Sequence, residues 1–128
     1  MIVLITAIIA VVLFTGMIVF QLLLVLDLPF GHLAYGGKYE KLPSKMKIVS
    51  LVGIVIFIFA ILSVLERAGI IIIFNNPMFV TVFVWIIAIY SAFITLINAI
   101  SKSKWEKLIM TPISLILAIC CFIVVIVI

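Results

Sequence analysis

Charge is what this chain has least of. Only 9% of its 128 residues are Asp, Glu, Lys or Arg, whereas 70% are hydrophobic. A soluble domain carries about a quarter charged residues and about half apolar ones. The shortage excludes a water-soluble fold and makes lipid the expected solvent. Acids are scarcer than bases, four against eight, and the bases fall beside hydrophobic runs rather than in one patch. That distribution suits anionic lipid head groups and gives no reason to expect nucleic acid as a partner. Thiols and imidazole are also scarce. Cys120 and Cys121 are adjacent in an apolar run, which is not the spacing of a structural staple, so free thiols packed among helices are expected. The single histidine, His32, could hold a metal only with Asp27, Glu40 or a cysteine, and the cysteines are expected beyond the membrane middle. No metal and no cofactor is expected.

Long apolar runs are what the chain has instead. The first, from about 2 to 25, holds only Thr6, Thr15 and Gln21 as polar side chains, and as a helix it rises roughly 35 Å, enough to cross a bilayer. It has no basic start and is much longer than the core of a signal peptide, so it is expected to remain as a span. The segment 26–47 contains Pro29, Pro43, Gly31, Gly36 and Gly37 and reads as a structured loop. A second span is predicted over 48–65, closed by Glu66-Arg67-Ala68-Gly69, where a basic residue and then a glycine make a helix stop. Ile70 to Phe74 is too short to cross and is expected in the interface or against the bundle. Asn76 can cap a new helix and Pro77 can take its first position, giving a third span over 77–100. The basic segment 101–107 carries Trp105 as an interfacial anchor. A fourth span follows over 108–128, with Pro112 close to its start, where proline is tolerated. The expected fold is all-α: one transmembrane domain over 1–128, a polytopic four-transmembrane-helix bundle with no separate catalytic module and no convincing internal repeat.

Lys38, Lys41, Lys45 and Lys47 lie between spans one and two, and Lys102, Lys104 and Lys107 between spans three and four. The other side has only Arg67. This bias predicts both lysine-bearing loops in the cytoplasm, with the topology N-out, C-out.

Small and hydroxyl side chains mark the faces expected to pack. Span three aligns Thr81, Ala88, Ala92, Thr95 and Ala99, flanked by Ser91 and Asn98. Span four aligns Thr111, Ser114, Ala118 and Cys121, and span two Gly53, Ala60 and Arg67. Span one offers Thr6, Ala10, Met17 and Gln21. Such seams describe a compact bundle rather than a pore. The spans contain essentially no ionisable groups, which argues against proton-coupled transport.

The most unusual segment is Asp27-Leu28-Pro29-Phe30-Gly31-His32-Leu33-Ala34-Tyr35-Gly36-Gly37-Lys38. It is not a phosphate-cradling loop. There is one glycine too many before the lysine, Tyr39 stands where a magnesium-binding hydroxyl belongs, and no strand precedes it. An acid–base pair of His32 with Asp27 is conceivable chemistry, but a structural, hydrogen-bonding histidine is the stronger reading, and no catalytic residue is assigned. Gln21 and Asn98 fall at a depth comparable to the start of this loop. With Asp27, His32, Tyr35 and Ser101 they can form one polar cluster, either satisfying loop backbone or holding a head group or small ligand. Glu66 can bond the Asn75-Asn76 turn, and Arg67 can snorkel outward or close the span-two seam.

The loop Gly31-His32-Leu33-Ala34-Tyr35-Gly36-Gly37, followed by Leu42-Pro43 and later by Asn98, Ser101 and Ser103, resembles a family of small uncharacterised four-helix bacterial integral membrane proteins. The resemblance covers most of the chain, with Phe30 where the family pattern has tryptophan. It implies a bacterial cytoplasmic membrane location and a four-span fold, and no substrate. The function expected is that of a non-enzymatic accessory or binding protein whose cytoplasmic glycine loop contacts a partner protein, lipid or small amphiphile. Asp27, His32, Tyr35, Gly36, Gly37 and Asn98 are the candidate contact residues. The alternative is a small homo-oligomeric transporter or channel with Ser91, Thr95 and Asn98 facing its axis. The lipid bilayer is the one partner common to both.

Overall fold

The computed structural model describes residues 1–26, 43–101 and 103–127. Among the described residues the chain forms four helices, α1 (Ile2–Val25), α2 (Ser44–Arg67), α3 (Pro77–Ala99) and α4 (Lys104–Val127). Each is apolar enough and, at 23 or 24 residues, long enough to cross a membrane, and large apolar side chains cover the outside of every one. The protein is therefore a multi-pass helical membrane protein, since so much exposed apolar surface requires lipid around it.

Local chemistry sets where the helices stop. The predicted end of α2 forms a full glycine cap: Gly69 takes a positive φ of 83°, its N–H donates to the Glu66 carbonyl, and the Ile70 N–H donates to the Leu65 carbonyl, both at 3.0 Å. These two bonds satisfy carbonyls that the helix end would leave bare. At the start of α3 the Asn76 side chain accepts from the Phe79 N–H at 3.1 Å, with Pro77 in the first turn, as the sequence predicts.

Two boundaries differ from those read in the sequence. α2 begins at Ser44 rather than near 48, because the extended Pro43 is its N-cap and the Met46 and Lys47 N–H groups bond the Pro43 carbonyl. The helix runs on past the apolar run, where Lys45 and Lys47 can be helical without being in hydrocarbon. α4 begins at Lys104 rather than near 108. Ser103 starts it, its Oγ accepting from the Glu106 N–H at 3.3 Å and its carbonyl from the Lys107 N–H at 3.0 Å. The earlier start places Pro112 more than two turns inside α4 rather than at a tolerant first turn, so the helix forgoes one backbone bond there.

The chain runs up and down. α3 packs most extensively on α4 and α1 on α2; α1 also meets α4, α2 meets α3, and α2 meets α4 only slightly. Ends are fixed by two contacts: the Arg67 guanidinium donates to the Val125 carbonyl at 3.1 Å, and Asn98 donates to Ser114 at 3.2 Å. The C-terminal ends of α2 and α4 thus share one end of the bundle. The other end holds the last turns of α1 and α3 and the first turns of α2 and α4, with Lys45, Lys47, Lys104 and Lys107.

The core is built from small side chains that let the backbones approach. Ala7, Ala10, Ala60, Ala88, Ala118 and Cys121 are buried among Phe14, Val64, Val84, Leu117 and Val124. On α4, Ser114, Ala118 and Cys121 of the predicted face are buried, and Thr111 is half-buried. On α1, Thr6 and Ala10 are buried as predicted, and Ala7 and Phe14 join them. α3 buries Val80, Val84, Ile87, Ala88 and Ser91, a stripe set by branched apolar residues rather than by Thr81, Ala92 and Ala99, which are half-buried. On α2, Ala60 is buried and Arg67 reaches α4, but Gly53 is no close-approach site. A Cβ added there would meet nothing, and the α2 seam is instead Ser50, Ala60, Ser63 and Val64. Cys120 and Cys121 are both buried free thiols.

The short connection after α2 tucks against the bundle. One Glu66 carboxylate oxygen accepts from the Ile73 and Phe74 N–H groups, the second from the Asn75 N–H at 3.1 Å. Phe74 packs between Phe59 and Phe79, with ring centroids 6.1 and 5.2 Å away. Glu66 therefore supplies the hydrogen bonds that three consecutive non-helical amides need near hydrocarbon.

Candidate functional site: an internal cavity graded from apolar to polar

A half-enclosed cavity of about 300 Å³ lies inside the bundle, lined by all four helices. Helical spacing explains which residues reach it. Phe14, Met17 and Gln21 recur at three and four residues along α1; Ser91, Ile94 and Asn98 do the same on α3; Glu106, Met110, Ile113 and Leu117 follow on α4. α2 closes the remaining side with Ile56 and Phe57, and the Phe57 ring lies 5.7 Å from that of Phe14.

The lining changes character along the bundle axis. Towards the middle it is aromatic and aliphatic. At the lysine-bearing end it turns polar, with Gln21, Asn98 and Glu106 drawn from three different helices. Ser114 links two of these helices. Its Oγ accepts from Asn98 Nδ2 at 3.2 Å and donates to the Met110 carbonyl at 2.8 Å. Among the described residues, the buried Gln21 Oε1 accepts no hydrogen bond. Glu106 is only 2% exposed, and no basic side chain among the described residues lines the cavity.

Of the residues singled out from the sequence, Asn98 lies in this cavity, and the structure brings Gln21 to it as the shared depth suggested. Asp27, His32, Tyr35, Gly36 and Gly37 lie outside the described residues. Ser101 stands apart from the cavity lining; its Oγ accepts from the Ser103 N–H at 3.1 Å. Ser91, Thr95 and Asn98, the row expected on a channel axis, make internal contacts. Ser91 and Asn98 line the cavity, and the Thr95 hydroxyl donates to the Ser91 carbonyl at 2.8 Å.

Glu106 is the site residue that the sequence reading missed. Lys102, Lys104 and Lys107 surround it, so the sequence reads there as a basic loop. The available signal was Ser103-Lys104-Trp105-Glu106, the Ser-x-x-Glu spacing that opens helices. Placing the helix start there puts Glu106 in phase with Met110 and Leu117, on the buried face.

A second recess of about 310 Å³ occupies the opposite end, beside Glu66, Arg67 and Asn76. Its carboxylate is already committed to three amides, so it serves the connection. Fold and site together define a multi-pass helical membrane protein with an internal amphipathic cavity. Compared with protein-family models, curated proteins and solved structures, the chain finds no match.

Proposed function

We propose that this chain is a non-enzymatic binding protein of the bacterial cytoplasmic membrane, taking the apolar part of a small amphiphile into the cavity between its helices. The observation that carries this reading is the graded lining: apolar walls from Phe14, Phe57, Ile94 and Leu117, ending in Gln21, Asn98 and Glu106. Ligand sites are typically concave and mostly apolar, with a few placed polar groups. The volume corresponds to about ten water-sized units, hence an alkyl chain of roughly that many carbons. The excess of lysine at the polar end supports an N-out, C-out arrangement, in which the head group faces the cytoplasm near the glycine loop and a partner protein can be reached.

The test uses the protein in lipid nanodiscs, with thermal stability measured against C8–C12 single-chain amphiphiles of different head groups. A ligand that binds only the folded state at a hundred times its Kd stabilises by about 2.7 kcal/mol. At least one member of the series should raise Tm for the wild type and not for Ile94→Trp, which fills the cavity. If none does, or if the tryptophan variant responds equally, the cavity is only a packing defect.

A further inference from the structure

The cavity is open on one side, and the way α2 meets α3 decides which. Of the described residues that line it, three are exposed: Ile56 at 42%, Tyr90 at 53% and Ile97 at 42%. All three belong to α2 or α3, whereas α1 and α4 contribute only buried or half-buried side chains to the lining. At the Arg67 end α2 and α3 are joined by rings. Phe59 of α2 stacks on Phe74, which meets Phe79 of α3, and Phe79 stacks on Phe83. Towards the lysine-bearing end they part. Residues three and four apart share one helix face, and the α2 face that carries Ser63 and Ala60, both fully buried, continues through Ile56 to Val52 and Val49, which are 53% and 45% exposed. Over this half α2 leaves α3, and it packs far more on α1 than on α3. Gly53 lies in the same half, and a Cβ added there meets no atom within 4 Å.

Resting on the binding function proposed above, we infer that the cavity is loaded sideways from the bilayer, through the gap between α2 and α3, and that its occupant is one acyl chain of a glycerophospholipid from the leaflet on the lysine-bearing side. Depth supplies the occupant. Ile56 and Tyr90 stand near the middle of helices long enough to cross a membrane, and Ile97 is roughly 10 Å further along α3, so the gap runs from mid-membrane through one leaflet. What lies against it there is hydrocarbon. A chain that enters by this route passes from lipid to an apolar wall while its head group stays at the interface, so no polar group loses its water on the way. The second chain remains outside in the bilayer. Lys45, Lys104 and Lys107 are exposed at the same end of the bundle, where they suit the phosphates of that leaflet. A single-chain ligand arriving from water would have no use for a gap at this depth.

The experiment places the intact protein in nanodiscs containing a phosphatidylcholine with a diazirine midway along one acyl chain, and maps the adducts by mass spectrometry after irradiation. The carbene reacts only with what it touches. The wild type should give adducts on the inner α4 wall, at Met110 and Leu117, which are 7% and 4% exposed, besides those on the outer face of α1 at Val12 and Val19. Gly53→Phe puts a ring into the open space beside the gap without removing a lining side chain. It should lower the inner adducts by about tenfold or more, as overpacking of the entrance requires, and leave those at Val12 and Val19 unchanged. If Gly53→Phe does not fold, Ile56→Trp on the rim makes the same comparison. Inner adducts that are absent from the wild type, or undiminished in the narrowed variant, overturn lateral loading. Tm measured against the C8–C12 amphiphiles in the same nanodiscs separates the two failures. Stabilisation that Ile94→Trp abolishes, without inner adducts, overturns lateral loading and leaves the binding function standing. Neither stabilisation nor inner adducts overturns both.

Discussion

Replacing Phe14 by alanine measures how a core of this kind is held together. Phe14 is 1% exposed and packs its ring 5.7 Å from that of Phe57, tilted by 38°. In a water-soluble protein the substitution costs about 3–5 kcal/mol, partly because the unfolded chain exposes the ring to water. Here the separated helices still keep the ring in hydrocarbon, so the transfer contribution largely disappears. Packing remains. A void of roughly 100 Å³ at about 24 cal/mol per Å³ is worth about 2.4 kcal/mol. The lost aromatic contact adds about 0.5–1.5 kcal/mol, and partial collapse towards the neighbouring cavity takes some back. The expected loss is about 2–3 kcal/mol. It can be read from unfolding in mixed micelles by sodium dodecyl sulfate, followed by tryptophan emission. Trp85 is a suitable reporter because it meets Phe122 edge-on with ring centroids 5.9 Å apart across the α3–α4 contact. Val12, 64% exposed on the lipid side of the same helix, is the control, and Val12→Ala should stay within about 0.5 kcal/mol. A Phe14→Ala loss below about 1 kcal/mol, or one equal to that of Val12→Ala, would refute the reasoning.

Three further outcomes are expected at the end of the bundle where α2 turns into α3. Gly69→Ala should cost about 1 kcal/mol, the penalty of a Cβ in the left-handed region, because an added Cβ meets no neighbouring atom; an unchanged unfolding midpoint would contradict this cap. Asn76→Ala should cost about 1 kcal/mol through loss of the bond from Phe79, whereas Asn76→Ser should keep most of it. Glu66→Leu, which removes both acceptor oxygens, should raise the amide hydrogen exchange of Ile73, Phe74 and Asn75 together, since all three donate to its carboxylate. Faster exchange at only one of them would mean that the carboxylate does not bind the three as a unit.

Much of this fold was legible because hydrophobic length and helix-stop chemistry agree. α1 and α3 coincide with their apolar runs to within a residue, and Gly69, through its free backbone, and Asn76, through its side chain, cap where the sequence places them. The starts of α2 and α4 were not legible from hydropathy, because a helix can continue into the interface until proline or a capping serine stops it. Pro43 and Ser103 are the informative residues, and both stand among lysines. The polar depth of Gln21 and Asn98 was visible in the sequence, but Glu106 was not, since its burial depends on a helix start obscured by lysines. The α3 stripe shows a different limit. Small residues mark where helices can approach, while the shapes of Val80, Val84 and Ile87 decide where they do.

The centrality of α4 bears on how the protein is made. It buries 44% of its hydrophobic window against 22% for α1 and α2, and it supplies Leu117, Cys121 and Val124 to the middle of the core. It is also the last of the four helices to leave the ribosome. At about 5–20 residues per second, its 24 residues take roughly 1–5 s to synthesise. Until it docks, the inward faces of α1, α2 and α3 are left unmatched. Assembly is therefore timed by the arrival of the fourth helix, and the cavity, whose α4 wall begins at Glu106, exists only once that helix has docked.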